Sequence, residues 1–251
     1  MNVLVCVKRV PLTGGKITLT DDRRAIQTRH LGFTVSPHEE CGAEEAVRLI
    51  EQHGGSSAVL TLGPPEAEEQ LRDLMAIGVD RGVHLVTDGA EWDAQATAAA
   101  IVEAIRSQPE PFDLILFGNE SADAGNYQVA IRVAYALGLP CVTGIKAIEV
   151  ADGELRCQQE VADGRDVYVA PMPAVVTVKE GINLPRYPSV PGRLRAKRKP
   201  VDTSSPTPAE PRLAMVTLKL PEGTGKQALV LGHGAEAAPA VVEVLAEVGV
   251  L

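Results

Sequence analysis

Between Phe112 and Val129 the sequence reads FDLILFGNESADAGNYQV. An apolar run, Leu114 to Phe117, stops at Gly118, small and polar residues follow, and a helical pattern starts near Tyr127. The chemistry such a segment offers is anion binding. In an open parallel sheet, ligands sit where strand carboxyl ends meet helix amino ends. Free backbone N–H groups point outward there, and the helix dipole favours negative charge. A loop rich in Gly, Ala and Ser lets phosphate oxygens approach the backbone. The segment therefore reads as a nucleotide site, with Gly118, Asn119, Glu120, Ser121, Ala122, Asp123, Ala124, Gly125, Asn126, Tyr127, Gln128 and Val129 as its residues and a phosphate at the helix mouth. Asp123 could equally cap a turn, Gln128 could be a solvated surface residue, and Asn126 is the expected N-cap.

The elements that must position this loop follow from hydrophobic patterning. Val3 to Val7 reads as a buried strand, and Lys16 to Ile26 alternates around a turn at Asp21-Asp22, as a β-hairpin would. Ser36-Pro37-His38-Glu39 has the form of a helix start, with Ser36 as cap, Pro37 at the first position and Glu39 completing a capping box. That helix should stop at Gly54-Gly55. Strands are expected over Ser57 to Leu62, Gly82 to Val86, Leu114 to Phe117 and Val142 to Ile145, alternating with helices that end near Gly78, Ser107 and Gly138. This alternation predicts an α/β fold, a doubly wound parallel sheet. Beyond Ile148, turn signals at Asp152-Gly153 and Asp163-Gly164 divide β-rich runs: Glu154 to Glu160, Asp166 to Ala170 and Ala174 to Val178, one of them antiparallel. Gly181 to Pro191 holds three prolines and reads as an extended loop, and Arg193 to Lys199 is basic. Val201 to Pro211 looks like a linker. The expected division is residues 1–200 as a nucleotide-binding domain with a β-rich extension, and 201–251 as a linker and C-terminal arm that packs on a partner chain. Within the arm, Met215 to Leu220 is apolar and a short amphipathic helix spans about Ala237 to Val248.

Composition narrows the function classes. The 251 residues carry 24 Lys and Arg against 33 Asp and Glu, a net charge of −9, which argues against nucleic acid as a partner. No apolar run approaches the roughly 20 residues needed to cross a bilayer, so no membrane insertion is expected. The opening MNVLVCVKRV enters a strand pattern without a signal-peptide layout. Cys6, Cys41, Cys141 and Cys157 form no CxxC pair, which predicts reduced thiols in a cytoplasm and no metal site. Thr224-Gly225-Lys226 lacks the spacing of a P-loop and is read as coincidence. No arrangement of Ser, Cys, His and Asp supports a nucleophilic hydrolase.

An ordered set of segments carries a resemblance. VLVCVKRVP near the start, EEAVRL at Glu44 to Leu49, AIGVDRGVHL at Ala76 to Leu85, the loop after Phe117, PAVVTV at Pro173 to Val178 and PRYPSVP at Pro185 to Pro191 together resemble the β subunit of electron transfer flavoproteins, over roughly residues 1 to 200. The resemblance implies an adenine-nucleotide α-hydrolase-like fold and pairing with an α subunit that holds most of a FAD. It implies that this chain buries an AMP, or, in electron-bifurcating members, the ADP half of a second FAD. The nucleotide contacts it implies are Cys6, Ser36 to Glu39, Leu62 and the loop Gly118 to Val129. Asp123 and Gln128 match the family, whereas Gly125 replaces a common acidic residue, Tyr127 a small one, and His38 an apolar one. His38 is either a polar first-turn residue or a group facing the nucleotide or flavin. Cys6 implies only backbone or van der Waals contact with adenine.

The resemblance also assigns Gly181 to Lys199 to docking on flavin dehydrogenases such as acyl-CoA dehydrogenases. Val190 falls at the exposed apolar position that enters the partner, with Tyr187 beside it and Arg193 and Arg195 among the charges that would speed encounter with an acidic surface. The reading that follows is a heterodimeric electron carrier subunit with no catalytic side chain of its own, passing electrons through FAD. Its rival is a stand-alone universal-stress-type domain that binds ATP or AMP as a sensor, which would need neither the β-rich extension nor the proline loop.

Overall fold

The computed structural model describes residues 1–14, 17–221 and 228–251; Thr224-Gly225-Lys226 lies outside the described residues. Strand β1 (Asn2–Val7) is followed by two-residue strands β2 (Val10–Pro11) and β3 (Phe33–Thr34), then α1 (Pro37–His53), β4 (Ser56–Gly63), α2 (Glu68–Ile77) and β5 (Arg81–Val86). Next come α3 (Ala94–Arg106), β6 (Leu114–Gly118), α4 (Val129–Leu137), β7 (Cys141–Ala151), β8 (Glu154–Val161), β9 (Gly164–Pro171) and β10 (Ala174–Val178). Helix α5 (Val190–Ala196), β11 (Val201–Ser204) and α6 (Ala238–Glu247) complete the chain.

Nine strands form one sheet in the order β11-β5-β4-β1-β6-β10-β7-β8-β9. Neighbours run parallel except at β7–β8 and β8–β9. The central strands are buried on both faces, which is why they read as unbroken apolar runs. Val3, Val5 and Val7 of β1 pack with Ala43, Val47, Leu71 and Met75 of α1 and α2. Leu4 and Cys6, pointing the other way, pack with Ala98, Ile101, Ala130 and Val133 of α3 and α4. The doubly wound α/β expectation holds, and the winding reverses at β1. From β1 the chain crosses through α1 to β4 on one side, while β6 pairs with β1 on the other. A crevice opens outside the strand tips at such a reversal.

Local chemistry sets the helix starts that face this crevice. The Ser36 N–H donates to the Glu39 carboxylate at 3.1 Å, and Pro37 occupies the first helical position. Asp93 caps α3, accepting from the Ala96 N–H at 2.7 Å.

The expectation of one antiparallel strand in the extension holds: β8 alone runs against the sheet, and β9 turns back to the direction of β7 and β10. The structure departs from the sequence reading in four places. The expected hairpin over Lys16 to Ile26 is, among its described residues, shorter and wider-turned than expected: an antiparallel Leu19–Ile26 bridge flanked by bonds from the Gln27 N–H to the Thr18 carbonyl and from the Thr20 N–H to the Ala25 carbonyl; β2 and β3 close the base of the excursion. Helix α4 starts at Val129 with Gln128 at its cap, so Asn126 is not the N-cap; Tyr127 lies in the left-handed region, φ 55°, and cannot continue a helix. Val190 begins α5 instead of lying in an extended loop, with Ser189 capping through the Gly192 N–H at 3.1 Å. The linker-like stretch begins with β11, which extends the sheet beside β5.

Candidate functional site

A crevice of about 660 Å³ lies at the carboxyl ends of β1, β4, β5 and β6. Its interior is apolar where Cys6, Leu62, Phe117, Trp92 and Ile101 line it, and polar along the β6–α4 loop. No side chain caps α4, so the first-turn N–H groups at Val129, Ala130 and Ile131, all crevice-lining residues, lack a side-chain partner. That is the electrostatic arrangement an anion seeks.

The base of the site is built by close approach of α1 to β6. A Cβ at Gly118 would stand 2.7 Å from Glu39 Cγ and 3.1 Å from His38 Cβ, so only glycine fits. Glu39 is buried and accepts from the backbone N–H groups of Lys8 (3.0 Å) and Ser36 (3.1 Å). Burial outweighs those two bonds and pushes its carboxyl up to about 8. Burial, reinforced by Glu39, also holds the Cys6 thiol well above its ordinary value, so Cys6 is an inert wall rather than a nucleophile.

The loop after Gly118 is held from several sides. The Thr177 hydroxyl donates to Asn119 Oδ1 (2.9 Å) while accepting from the Gly144 N–H (2.8 Å). The Ser36 hydroxyl donates to the Glu120 carbonyl at 3.4 Å. His38 Nδ1 accepts from the Glu180 N–H at 2.7 Å, leaving Nε2, 3.5 Å from Glu120 Oε1, as the ring's remaining donor. A hydrogen bond to Glu120 raises the Tyr127 phenol above its usual range. Asp123 Oδ1 accepts from the Ala124 N–H (2.7 Å), and Oδ2 pairs with Lys8 Nζ at 2.8 Å. Gln128 Oε1 accepts from the Arg132 guanidinium at 3.0 Å.

Of the residues singled out by sequence, Cys6, Glu39, Leu62, Gly118, Asn119, Glu120, Ser121, Asp123, Ala124, Asn126, Tyr127, Gln128 and Val129 line this one crevice. Ser36, Pro37, His38, Ala122 and Gly125 do not; Ser36 and His38 instead reach Glu120 of the loop, through the Ser36 hydroxyl and His38 Nε2. Sequence reasoning missed Lys8, which links Asp123 on the β6–α4 loop to Glu91 on the β5–α3 loop and so ties two walls of the crevice together. Burial disfavours the Lys8 charge, but Glu91 and Asp123 outweigh it and raise its pKa. A lysine directly after a buried strand is the available signal, since a strand's end opens on the crevice. Arg9 was missed too; its guanidinium lies 3.3 Å over the Phe33 ring at the crevice edge.

The second expected site lies apart from the crevice. Tyr187 is 97 % exposed and Val190 74 %, and Leu184 and Leu194 beside them are also exposed. Arg195 is exposed, whereas Arg193 pairs with Asp73 at 2.9 Å and Lys199 donates to the Met75, Gly78 and Val79 carbonyls at the end of α2. The basic run is thus partly spent on fixing α5 and β11 to α2. All four cysteines are free. Among the described residues no group of acidic, His and Cys side chains could hold a metal, and no helix is long and apolar enough to cross a membrane.

The family model described as an electron transfer flavoprotein domain matches residues 25–209. The chain is 34 % identical to the electron transfer flavoprotein subunit beta of Bacillus subtilis across 98 % of its own length and 97 % of that protein's. It is 37 % identical to the subunit of the same name from Syntrophomonas wolfei, across 88 % of this chain and 86 % of that one. With the Mycobacterium leprae subunit beta it shares 35 % identity over 80 % of this chain and 77 % of the other.

Proposed function

The chain belongs to the electron transfer flavoprotein family as a β subunit, and from that premise we propose that it pairs with an α subunit, buries an adenine nucleotide in its crevice and passes electrons from flavin dehydrogenases through a shared FAD. The nucleotide is AMP, or the ADP half of a second FAD. The observation that carries this reading is the meeting of three strand tips, Cys6, Leu62 and Gly118, with the uncapped start of α4 in one crevice. The residues present fit the group. The first-turn N–H groups of α4 take the phosphate, and the apolar floor at Cys6, Leu62 and Phe117 takes the base. Asp123 and Gln128, on the loop and at the helix cap, stand where polar contacts to the ribose and phosphate are needed. Gly118 keeps the backbone open at the closest approach.

The shared FAD supplies the redox chemistry when bound. This chain's residues bind and orient: Lys8 fixes two crevice walls, Glu39 and Ser36 hold the start of α1 against β6, and His38 joins Glu120 of the crevice loop to the Glu180 backbone. The segment from Leu184 to Leu194 presents Tyr187, Val190, Arg193 and Arg195 to the donor dehydrogenase. The arm beyond residue 204, whose helix α6 buries none of its residues within this chain, packs on the α subunit. Free cysteines fit a cytoplasmic setting. A self-sufficient sensor domain would leave β8, β9 and α6 without a task, and the family assignment sets that rival aside.

Co-expression tests the proposal. With the α subunit, a yellow 1:1 heterodimer should form; a colourless, stable homodimer of this chain that ignores the α subunit would overturn it.

A further inference from the structure

Between Glu180 and Ser189 the chain forms no helix or strand, yet its polar groups are tied to α1 turn by turn. The Glu180 N–H donates to His38, and the Asn183 amide donates to the Cys41 carbonyl (3.0 Å) and the Glu45 carboxylate (2.9 Å). Arg186 goes furthest. Its Nε and Nη2 donate to Glu44 at 2.9 and 3.1 Å, and its Nη1 and Nη2 to Glu51 at 2.7 and 3.0 Å. Its backbone N–H adds a bond to Glu44 at 3.2 Å. His38, Cys41, Glu44 and Glu51 follow helical spacing, so they form one stripe along α1.

This stripe does unusual work. Glu44 is 2 % exposed, and a carboxylate that buried needs partners; Arg186 and Arg48 supply them and hold it below the usual carboxylate range despite burial. A planar guanidinium forked over two carboxylates fixes direction as well as position. The next residue, Tyr187, is nearly fully exposed, and Val190 follows three residues later. Beyond it α5 is pinned again, because a Cβ at Gly192 would stand 2.4 Å from the Ala76 carbonyl oxygen. An exposed apolar row is therefore clamped at both ends.

We propose that Arg186 is the positioning residue for partner docking: forked over Glu44 and Glu51, it holds Tyr187 and Val190 in the arrangement the redox partner meets, so the segment is ordered before encounter. The inference rests on the docking reading of this segment. Ordering before encounter removes an entropy cost from binding and leaves the chemistry of transfer untouched.

The test uses the heterodimer carrying Arg186→Gln, Arg186→Lys or Glu51→Gln, with Val190→Ala as a control, and follows electron delivery from a flavin dehydrogenase donor. Arg186→Gln should raise the KM for the heterodimer about tenfold with kcat, flavin content and flavin spectrum unchanged. Arg186→Lys should not rescue it, since an ammonium cannot span both carboxylates. Glu51→Gln, which keeps the buried Glu44 paired, should raise KM about threefold and keeps the test valid if Arg186→Gln fails to fold. Backbone amides of 181–189 should exchange hydrogen faster in each variant without any partner. Unchanged KM in Arg186→Gln or Glu51→Gln, or unchanged exchange, would overturn the positioning role. If Val190→Ala also leaves KM unchanged, the docking reading itself fails.

Discussion

Glu39, in the first turn of α1, and Gly118, at the end of β6, approach so closely that a methyl group at 118 would overlap the Glu39 side chain at 2.7 Å. The contact seats a helix start beside a strand tip and sets the depth of the crevice. Gly118→Ala should therefore destabilise the chain by roughly 1–3 kcal/mol through overpacking and lower the nucleotide recovered from the heterodimer. Denaturant unfolding and nucleotide extraction measure the two effects. A variant of wild-type stability and full nucleotide content would show that the approach is not needed.

The same carboxyl gives a pH signature. Its ordinary value is 4.5 and burial pushes it up to about 8 in the folded chain. The folded state thus binds a proton that the unfolded state has released. That contribution is fully present below about 4.5 and is lost as pH rises through about 8. The slope should reach about 1.4 kcal/mol per pH unit inside that window. Comparing Glu39→Gln with wild type between those values isolates the contribution of this carboxyl. Parallel stability curves would mean that Glu39 titrates normally.

Lys8 joins Asp123 and Glu91 across the crevice. Lys8→Gln removes the link and leaves two carboxylates facing each other. We expect nucleotide affinity to fall about tenfold, the scale of a lost charge-assisted bond, with the FAD shared with the α subunit retained. Equilibrium dialysis of labelled nucleotide against the two heterodimers reads this directly; equal affinities would reduce Lys8 to a surface charge.

Val190→Ala trims an exposed side chain that touches nothing the crevice needs. The expected loss is about 1 kcal/mol of docking, roughly fivefold in KM with the donor dehydrogenase, at constant flavin content. Loss of flavin instead would place Val190 at the subunit junction.

Much of this architecture is visible in the sequence because its central strands are buried on both faces and its helices carry punctuation such as Ser36-Pro37 and Gly138. The crevice loop was visible for the same reason: Phe117 ends an apolar run and Gly118 opens a polar one. Other features are not local. Val201 to Ser204 reads as a linker because three of its residues are polar and exposed; only its hydrogen bonds to β5 make it a strand. The start of α4 was misplaced because Tyr127 takes a left-handed backbone that no propensity signals. The Lys8–Asp123 and Arg186–Glu44 pairs join residues more than a hundred positions apart, and charge patterns along one helix cannot reveal them.

Weighing the nucleotides released from the purified heterodimer by mass spectrometry bears most directly on the claim that this crevice holds an adenine nucleotide. One FAD plus one AMP, or two FAD, is the expected yield, with the second nucleotide depleted by Gly118→Ala. A heterodimer that releases a single FAD and no other adenine nucleotide would contradict it.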